Sequence, residues 1–342
     1  MSKKILVTGG TGYIGSHTVV ELQNEGFEVV VIDNLHNSEL SVLDGIESIT
    51  GIRPVFGEFD ICDKKRLDKF LQEQGRIDAV IHFAAFKAVG ESVSKPLEYY
   101  HNNLMSLINL LGFMKLSDID SFVFSSSCTV YGQPDKLPVT EEAPIKQAVS
   151  PYGYTKQVGE NILKDFISSA SDKKAIALRY FNPIGAHPSA LIGELPRGVP
   201  ENLVPFITQT GIGIRDELKV FGNDYNTPDG SCIRDYLHVV DLAKAHVVAV
   251  KRMLESENKH NYEVFNLGTG TGVSVLEAIK SFERISGKEL NYKIVGRREG
   301  DIEQIWADPA LANNELGWKA ESTLDDAMKS AWDWEKKYRN KN

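Results

Sequence analysis

Thr8-Gly9-Gly10-Thr11-Gly12-Tyr13-Ile14-Gly15 is the stretch whose reading decides the fold. It follows the short apolar run Ile5-Leu6-Val7 and opens a helix-like segment, Ile14–Asn24. The glycines at 9, 12 and 15 let backbone N–H groups approach a pyrophosphate at a helix N-terminus, where the dipole favours negative charge. A bare glycine pattern is weak; the strand before it and the helix after it give it content. Asp33 ends the next apolar run, Val29-Val30-Val31-Ile32, and lies 24 residues after Gly9. An acid at that place accepts hydrogen bonds from adenosine ribose hydroxyls and repels a 2′-phosphate. No arginine stands beside it, so the pattern favours NAD over NADP.

Outward from the loop, β-branched runs alternate with helix-like stretches. Ala79-Val80-Ile81-His82-Phe83 and Phe122-Val123-Phe124-Ser125 read as further strands, and Lys65–Gln74 as a further helix. Continuously apolar strands separated by helices indicate a parallel sheet covered on both faces. The expected fold class is α/β, a doubly wound, Rossmann-like parallel sheet. Ser150 and Pro151 read as N-cap and first residue of a long helix, in which Val158, Ile162, Leu163 and Phe166 recur at helical spacing. A strand over Ala175–Tyr180 leads into Phe181-Asn182-Pro183-Ile184-Gly185.

Beyond about residue 184 the chain turns rich in Gly, Pro and polar residues, with a helix near Asn202–Thr210. A helix at Val240–Leu254 and a strand at Glu263–Leu267 restore α/β character, and Leu324–Tyr338 reads as an amphipathic helix. No internal repeat or low-complexity segment is visible. The expected layout is an NAD-binding Rossmann domain from 1–183 and 238–267. A second, smaller α/β substrate-binding domain is expected from 184–237 and 268–342.

The 342 residues suit about two domains at ~150 residues each. With 42% hydrophobic and 25% charged residues the composition is that of a globular protein. The net charge of −9 argues against nucleic acid or an acidic membrane surface as the main partner. Cys62, Cys128 and Cys232 are an odd number, far apart, with no CxxC pair and no zinc spacing, so no metal site and no disulfide framework are expected. The apolar run after Lys3-Lys4 stops at glycines, too short for a secretory signal. No apolar stretch approaches the roughly 18 residues of a membrane span. A cytoplasmic chain is expected.

Tyr152 and Lys156 are four apart near the start of the long helix, hence on one face. A nearby ammonium, helped by a cationic nicotinamide, favours the phenolate and moves a tyrosine toward a general base. Alone, Tyr-x-x-x-Lys is a common accident. Its context is Ser125-Ser126-Ser127-Cys128-Thr129-Val130-Tyr131-Gly132, which follows an apolar strand, and open α/β sheets bind ligands at the C-terminal ends of their strands.

The glycine loop, a serine at the end of the fourth strand and Tyr152-x-x-x-Lys156 together resemble the extended short-chain dehydrogenase/reductase superfamily. Within it the chain is similar to the UDP-glucose 4-epimerase (UDP-galactose 4-epimerase) family. The matching segments include Asp33-Asn34-Leu35, His82-Phe83-Ala84, Lys87-Ala88-Val89-Gly90-Glu91-Ser92, Ser125–Gly132 and Ser150-Pro151-Tyr152-Gly153. Further along come Arg179-Tyr180-Phe181-Asn182-Pro183, Phe221-Gly222-Asn223-Asp224-Tyr225, Arg234-Asp235-Tyr236 and Arg297-Arg298-Glu299-Gly300-Asp301.

The resemblance implies epimerisation of UDP-glucose and UDP-galactose at C4, through a 4-keto sugar, with bound NAD+. It implies Tyr152 as the base, Ser127 sharing its hydrogen bond to the C4 hydroxyl, Thr129 close to the sugar, and Lys156 holding the nicotinamide ribose and depressing the tyrosine pKa. The implied cofactor site holds Gly9, Gly12, Tyr13, Ile14, Gly15, Asp33, Asn37, Ser38, Asp60, Ile61, Phe83, Ala84, Lys87, Asn102, Ser125 and Tyr180, with Tyr152 and Lys156. The implied nucleotide-sugar site holds Phe181, Asn182, Asn202, Leu203, Phe221, Arg234, Arg298 and Asp301. Side-chain chemistry agrees: forked arginines suit a diphosphate, an aromatic face suits uracil, and a carboxylate suits ribose hydroxyls. A homodimer is also implied, by pairing of two long helices per subunit.

Ile305 stands where the family carries a residue walling the sugar pocket, tyrosine in some bacterial members and cysteine in others. Isoleucine is intermediate in bulk, so weak action on UDP-GlcNAc or UDP-GalNAc is expected beside the main reaction. The nearest rival, a nucleotide-sugar 4,6-dehydratase, resembles Asp-Glu where this chain has Cys128-Thr129, and water elimination needs that acid and base.

Overall fold

The computed structural model describes residues 2–298 and 301–340. The first half alternates as the patterning demands. β1 (Lys4–Thr8), α1 (Tyr13–Asn24), β2 (Glu28–Asp33), α2 (Ser41–Thr50), β3 (Val55–Glu58), α3 (Lys64–Glu73) and β4 (Ala79–His82) come first. Then follow α4 (Val89–Ser94), α5 (Pro96–Lys115), β5 (Ser121–Ser125), α6 (Pro151–Ser169) and β6 (Lys174–Tyr180). The second half runs β7 (Asn182–Ile184), α7 (Leu203–Gly211), β8 (Leu218–Phe221), β9 (Ile233–Arg234), β10 (Tyr236–His238) and α8 (Val239–Leu254). It ends with β11 (Tyr262–Leu267), β12 (Val273–Ser274), α9 (Val275–Ser286), β13 (Tyr292–Val295), β14 (Gln304–Ile305) and α10 (Leu324–Arg339).

Seven strands form one sheet in the order β11-β6-β5-β4-β1-β2-β3, and every pairing in it is parallel. The doubly wound α/β fold is therefore present. The strand Val55–Glu58 carries no apolar run, only Val-Phe-Gly-Glu, and was not expected. Its presence makes the serine-bearing strand the fifth in chain order rather than the fourth. Strand order reverses between β1 and β4, which pair at Leu6↔Val80. Beyond the C-terminal ends of strands at such a point lies the crevice where open α/β sheets take ligands.

Side-chain alternation along β1 sends Ile5 and Val7 to one face and Leu6 to the other. Ile5 and Val7 pack with Val19, Val20 and Leu22 of α1 and Leu242, Ala245 and Ala249 of α8. Leu6 packs with Leu67 and Leu71 of α3, Leu107 and Leu110 of α5 and Leu163 of α6. Both faces are covered, so each buried Leu, Ile or Val contributes about 1.5–3 kcal/mol of transfer free energy, and the strands tolerate no alternating polar residue.

A third core draws on the second half of the chain. Ile184, Val204, Ile207, Val220, Ile279, Phe282, Met328 and Trp332 meet there from β7, α7, β8, α9 and α10. α9 starts on a capping box between Ser274 and Glu277, an S-x-x-E signal that stabilises its exposed N–H groups. A small fourth cluster of Val130, Tyr131, Val139, Phe181, Ile305 and Ala307 lies beside the serine turn.

Candidate active site

The glycine turn is built by contact limits. Gly12 N–H donates to the Gly9 carbonyl at 3.1 Å, and Gly12 caps α1 in an extended conformation without a side-chain bond. Gly9 has φ +71°, and a Cβ on it would sit 2.8 Å from the backbone nitrogen of Ala84. A Cβ on Gly15 would sit 2.1 Å from the Gly9 carbonyl oxygen. Any side chain at these places would push apart the backbone that shapes the turn at the helix N-terminus. Asp33 accepts from Thr11 N at 3.2 Å, Leu35 N at 2.9 Å and Ser38 Oγ at 3.3 Å, which fixes its carboxylate at the end of β2.

A cavity of about 550 Å³ opens beyond these strand ends. Its lining includes Gly9, Gly12, Tyr13, Ile14, Gly15, Asp33, Asn37, Ser38, Asp60, Ile61, Phe83, Ala84, Lys87, Asn102, Tyr152, Lys156, Tyr180 and Asn202. The volume and length of that lining suit a dinucleotide. The other sequence-selected residues do not line it. Ser125 ends β5 and donates from Oγ to the Tyr180 hydroxyl at 2.9 Å. Ser127 and Thr129 lie in the turn that follows. Phe181 and Ile305 are buried in the small fourth cluster, and Asn182 and Leu203 start β7 and α7.

The remaining four selected residues gather around β8 and β9. Phe221 ends β8 and is 38% exposed; the Arg298 guanidinium lies 5.4 Å from its ring centre and pairs with Asp301 at 2.6 Å. Arg234 stands on β9 in register with Ile305 on β14, and donates to the Ile233 carbonyl at 2.8 Å. Glu299 and Gly300, the middle of that motif, lie outside the described residues.

Ser150 accepts from Gly153 N–H at 3.2 Å and starts α6, which sets Tyr152 and Lys156 one turn apart, both buried. Lys156 Nζ donates to the Ser125 carbonyl at 2.7 Å and lies 5.0 Å from the centre of the Phe124 ring. Burial brings the lysine down to about 8, opposed by the charge of Glu160. The Tyr152 hydroxyl is pushed well above its ordinary value, chiefly by burial and then by Tyr180, while a hydrogen bond with Ser127 pulls the other way. Desolvation of the phenol accounts for most of that rise, and the Lys156 ammonium is engaged by the Ser125 carbonyl, 5.9 Å from the tyrosine ring centre. Thr129 Oγ1, two residues after Ser127, is buried and has no hydrogen-bond partner among the described residues.

Sequence reading missed the segment that closes the cavity from the second half of the chain. Arg197 reaches across to the Ser38 carbonyl at 2.5 Å. Glu194 accepts from Asn202 Nδ2 at 2.5 Å and pairs with Lys87 at 3.4 Å. These residues follow the glycine loop by about 180 positions, and no local spacing links them to it. Among the described residues, no group of three His, Cys, Asp or Glu is placed to hold a metal ion, and no helix is long and apolar enough to cross a membrane.

A family model described as GDP-mannose 4,6 dehydratase matches residues 6–331. A curated relative from Yersinia enterocolitica, named UDP-glucose 4-epimerase, is 52% identical over 332 residues, covering 97% of each chain. The chain belongs to the UDP-glucose 4-epimerases. A UDP-glucose 4-epimerase from Stenotrophomonas maltophila, solved with bound NAD and formylated UDP-arabinopyranose, is 48% identical with a TM-score of 0.95, covering 99% of this chain and 100% of that one. A UDP-glucose 4-epimerase from Bifidobacterium longum, in complex with NAD+ and UDP, is 46% identical with a TM-score of 0.94, covering 99% of each chain. The epimerase likeness thus extends over both halves, from the glycine loop to α10.

Proposed function

We propose that this chain interconverts UDP-glucose and UDP-galactose by inverting C4 with a bound NAD. The observation that carries the reading is Tyr152, close to Ser127 at the wall of a dinucleotide-sized cavity, with Lys156 one helical turn away. The residues fit the cofactor: the glycine cradle admits a pyrophosphate and Asp33 can accept ribose hydroxyls. NAD held there would supply reversible hydride transfer at the sugar C4.

The chain's own residues handle the proton and the pose. Tyr152 takes the C4 hydroxyl proton and later gives it back, so proton balance closes within the site. Ser127 shares the hydrogen bond to that oxygen, and the unpartnered Thr129 hydroxyl meets a sugar hydroxyl. Lys156 holds a ribose and favours the phenolate once a cationic ring lies beside it. Arg234 and Arg298 face the diphosphate, Phe221 covers the uracil and Asp301 takes the ribose. Ile305 walls the sugar pocket and admits the N-acetylated UDP-sugars at a low rate.

The deciding experiment is Tyr152→Phe assayed with UDP-galactose. Activity within a factor of two of wild type overturns Tyr152 as the base. Formation of UDP-glucose without net NADH supports epimerisation; a 4-keto-6-deoxy product points instead to the dehydratase chemistry that the matched family model names. The site has a free, half-buried thiol, Cys128, next to Ser127 and no carboxylate pair there, which speaks against elimination.

Two coarser readings rest on other surfaces. α5 and α6 pack together and leave Leu97, Met105, Ile108 and Tyr154 exposed, which supports a homodimer through these helices. The three cysteines are free thiols, which supports a reducing, cytoplasmic setting.

A further inference from the structure

Three successive serines at the end of β5, Ser125 to Ser127, lie against one face of α6. Ser127 lies close to Tyr152, the Ser125 carbonyl accepts from Lys156, and Ser126 Oγ donates to Glu160 Oε1 at 2.5 Å. Tyr152, Lys156 and Glu160 are spaced by four, so three successive turns of one helix face reach Ser127, Ser125 and Ser126 in that order. We propose that Glu160 is a positioning residue: its carboxylate fixes the serine turn through Ser126 and supplies the negative charge that faces Lys156. This rests on the role given above to Tyr152, Lys156 and Ser127.

The carboxylate is itself fixed. Arg179 of β6 grips it with a fork, Nε to Oε1 at 2.9 Å and its terminal nitrogen to Oε2 at 2.6 Å. Arg179 in turn donates to the Tyr131 hydroxyl at 2.9 Å, and Tyr131 donates to Asn266 at 2.6 Å. Both members of the pair are buried. A buried pair of this kind adds little net stability over apolar residues of the same shape, so its placement under the catalytic turn calls for another role. The groups facing Lys156 are Tyr152 and Glu160 on α6, His82 on β4 and the Phe124 ring on β5. Those facing Glu160 are Lys156, Ser126, Arg179 and Tyr262 on β11, and Glu141 faces Arg179. Of these, Glu160 is the charge that favours the ammonium of Lys156.

Glu160→Gln alone leaves Arg179 buried and unpaired and is expected to fold poorly. Glu160→Gln with Arg179→Met removes both charges together and keeps an acceptor for Ser126. In that holoenzyme the alkaline limb of the pH–kcat profile is expected to move about one unit toward acid, a tenfold change in proton affinity. The ε-carbon resonance of Lys156, assigned with Lys156→Met, should titrate lower by the same amount. A limb and a lysine titration both within roughly 0.2 of a unit of wild type overturn the inference about charge. Ser126→Ala tests the turn: kcat is expected to fall about tenfold with KM within twofold and the alkaline limb unmoved. An unchanged kcat there overturns the positioning role. The lysine titration is independent of turnover, so it separates failure of this inference from failure of Tyr152 as the base.

Discussion

Tyr13 donates its phenolic hydrogen bond to the carbonyl of Gly185 at 2.7 Å. The first residue of the helix behind the glycine turn thereby grips the chain just after it has left the large sheet for the third core. Tyr13→Phe leaves that carbonyl short of a donor. A loss of about 1–2 kcal/mol in unfolding free energy is expected, read by denaturant titration. Bound dinucleotide should also dissociate faster from the variant on gel filtration.

Gly15→Ala tests the glycine turn. The added methyl would meet the Gly9 carbonyl at 2.1 Å, so the backbone must move where the pyrophosphate is cradled. Purified Gly15→Ala should carry little or no dinucleotide, measured by absorbance after acid extraction. Gly90→Ala is the control, because a Cβ there meets nothing within 4 Å; its stability should stay within about 0.5 kcal/mol of wild type.

Lys156 links stability to alkaline pH. Burial lowers it to about 8 in the folded chain, below its ordinary value of 10.5. Between those values the unfolded chain binds more protons, so the penalty is present in full below pH 8 and is relieved as pH rises toward 10.5. Wild type should therefore gain on Lys156→Met across that window, by on the order of 2–3 kcal/mol, in parallel denaturation series.

Buried histidines set the acid limit. His17 and His82 are lowered to about 3 and His246 to about 4, each chiefly by burial. Their folded values lie below the unfolded one, so stability is full above about 6.5 and is lost as pH falls. Each contributes about 1.4 kcal/mol per pH unit once the unfolded chain is protonated. His246→Met should flatten the slope of unfolding free energy near pH 5 by one proton's worth; an unchanged slope would count against a neutral His246.

Ile305 sits 2% exposed against Val130, Tyr131, Val139 and Phe181. Ile305→Ala should cost about 2–4 kcal/mol through the cavity it leaves. It should also raise turnover of UDP-GalNAc relative to UDP-galactose about tenfold, in a coupled product assay. Wild type is expected to turn over the N-acetylated pair at more than about a thousandth of the UDP-galactose rate, the equivalent of ~4 kcal/mol.

The sequence disclosed whatever rests on local spacing. Gly9 to Gly15, Asp33 at the end of an apolar run, and Tyr152 with Lys156 are short-range patterns, and all of them line the cavity. Ser150 was readable as a cap because capping spans three residues. β3 was hidden because an edge strand of four residues with a central glycine has no apolar signature. Glu194 and Arg197 reach the cofactor side only through the tertiary path of the chain, and Glu160 reads as an ordinary polar helix residue until Ser126 and Arg179 are seen against it. The burial that raises the Tyr152 hydroxyl could not be read from its spacing to Lys156, since it belongs to the assembled wall of the site.

The large sheet ends in a strand that is made late. β6 is paired on its outer side by β11, whose first residue, Tyr262, comes 82 positions after Tyr180. A ribosome adding ~5–20 residues per second needs roughly 4–16 s to cover that interval. For that time the nascent chain presents the unpaired amides and carbonyls of Lys174–Tyr180 at an open edge, with four of its residues, Ala175, Ile176, Ala177 and Leu178, almost wholly shielded in the finished protein. Such an edge recruits any other free strand. Chains that stop before β11 should accordingly accumulate as aggregates.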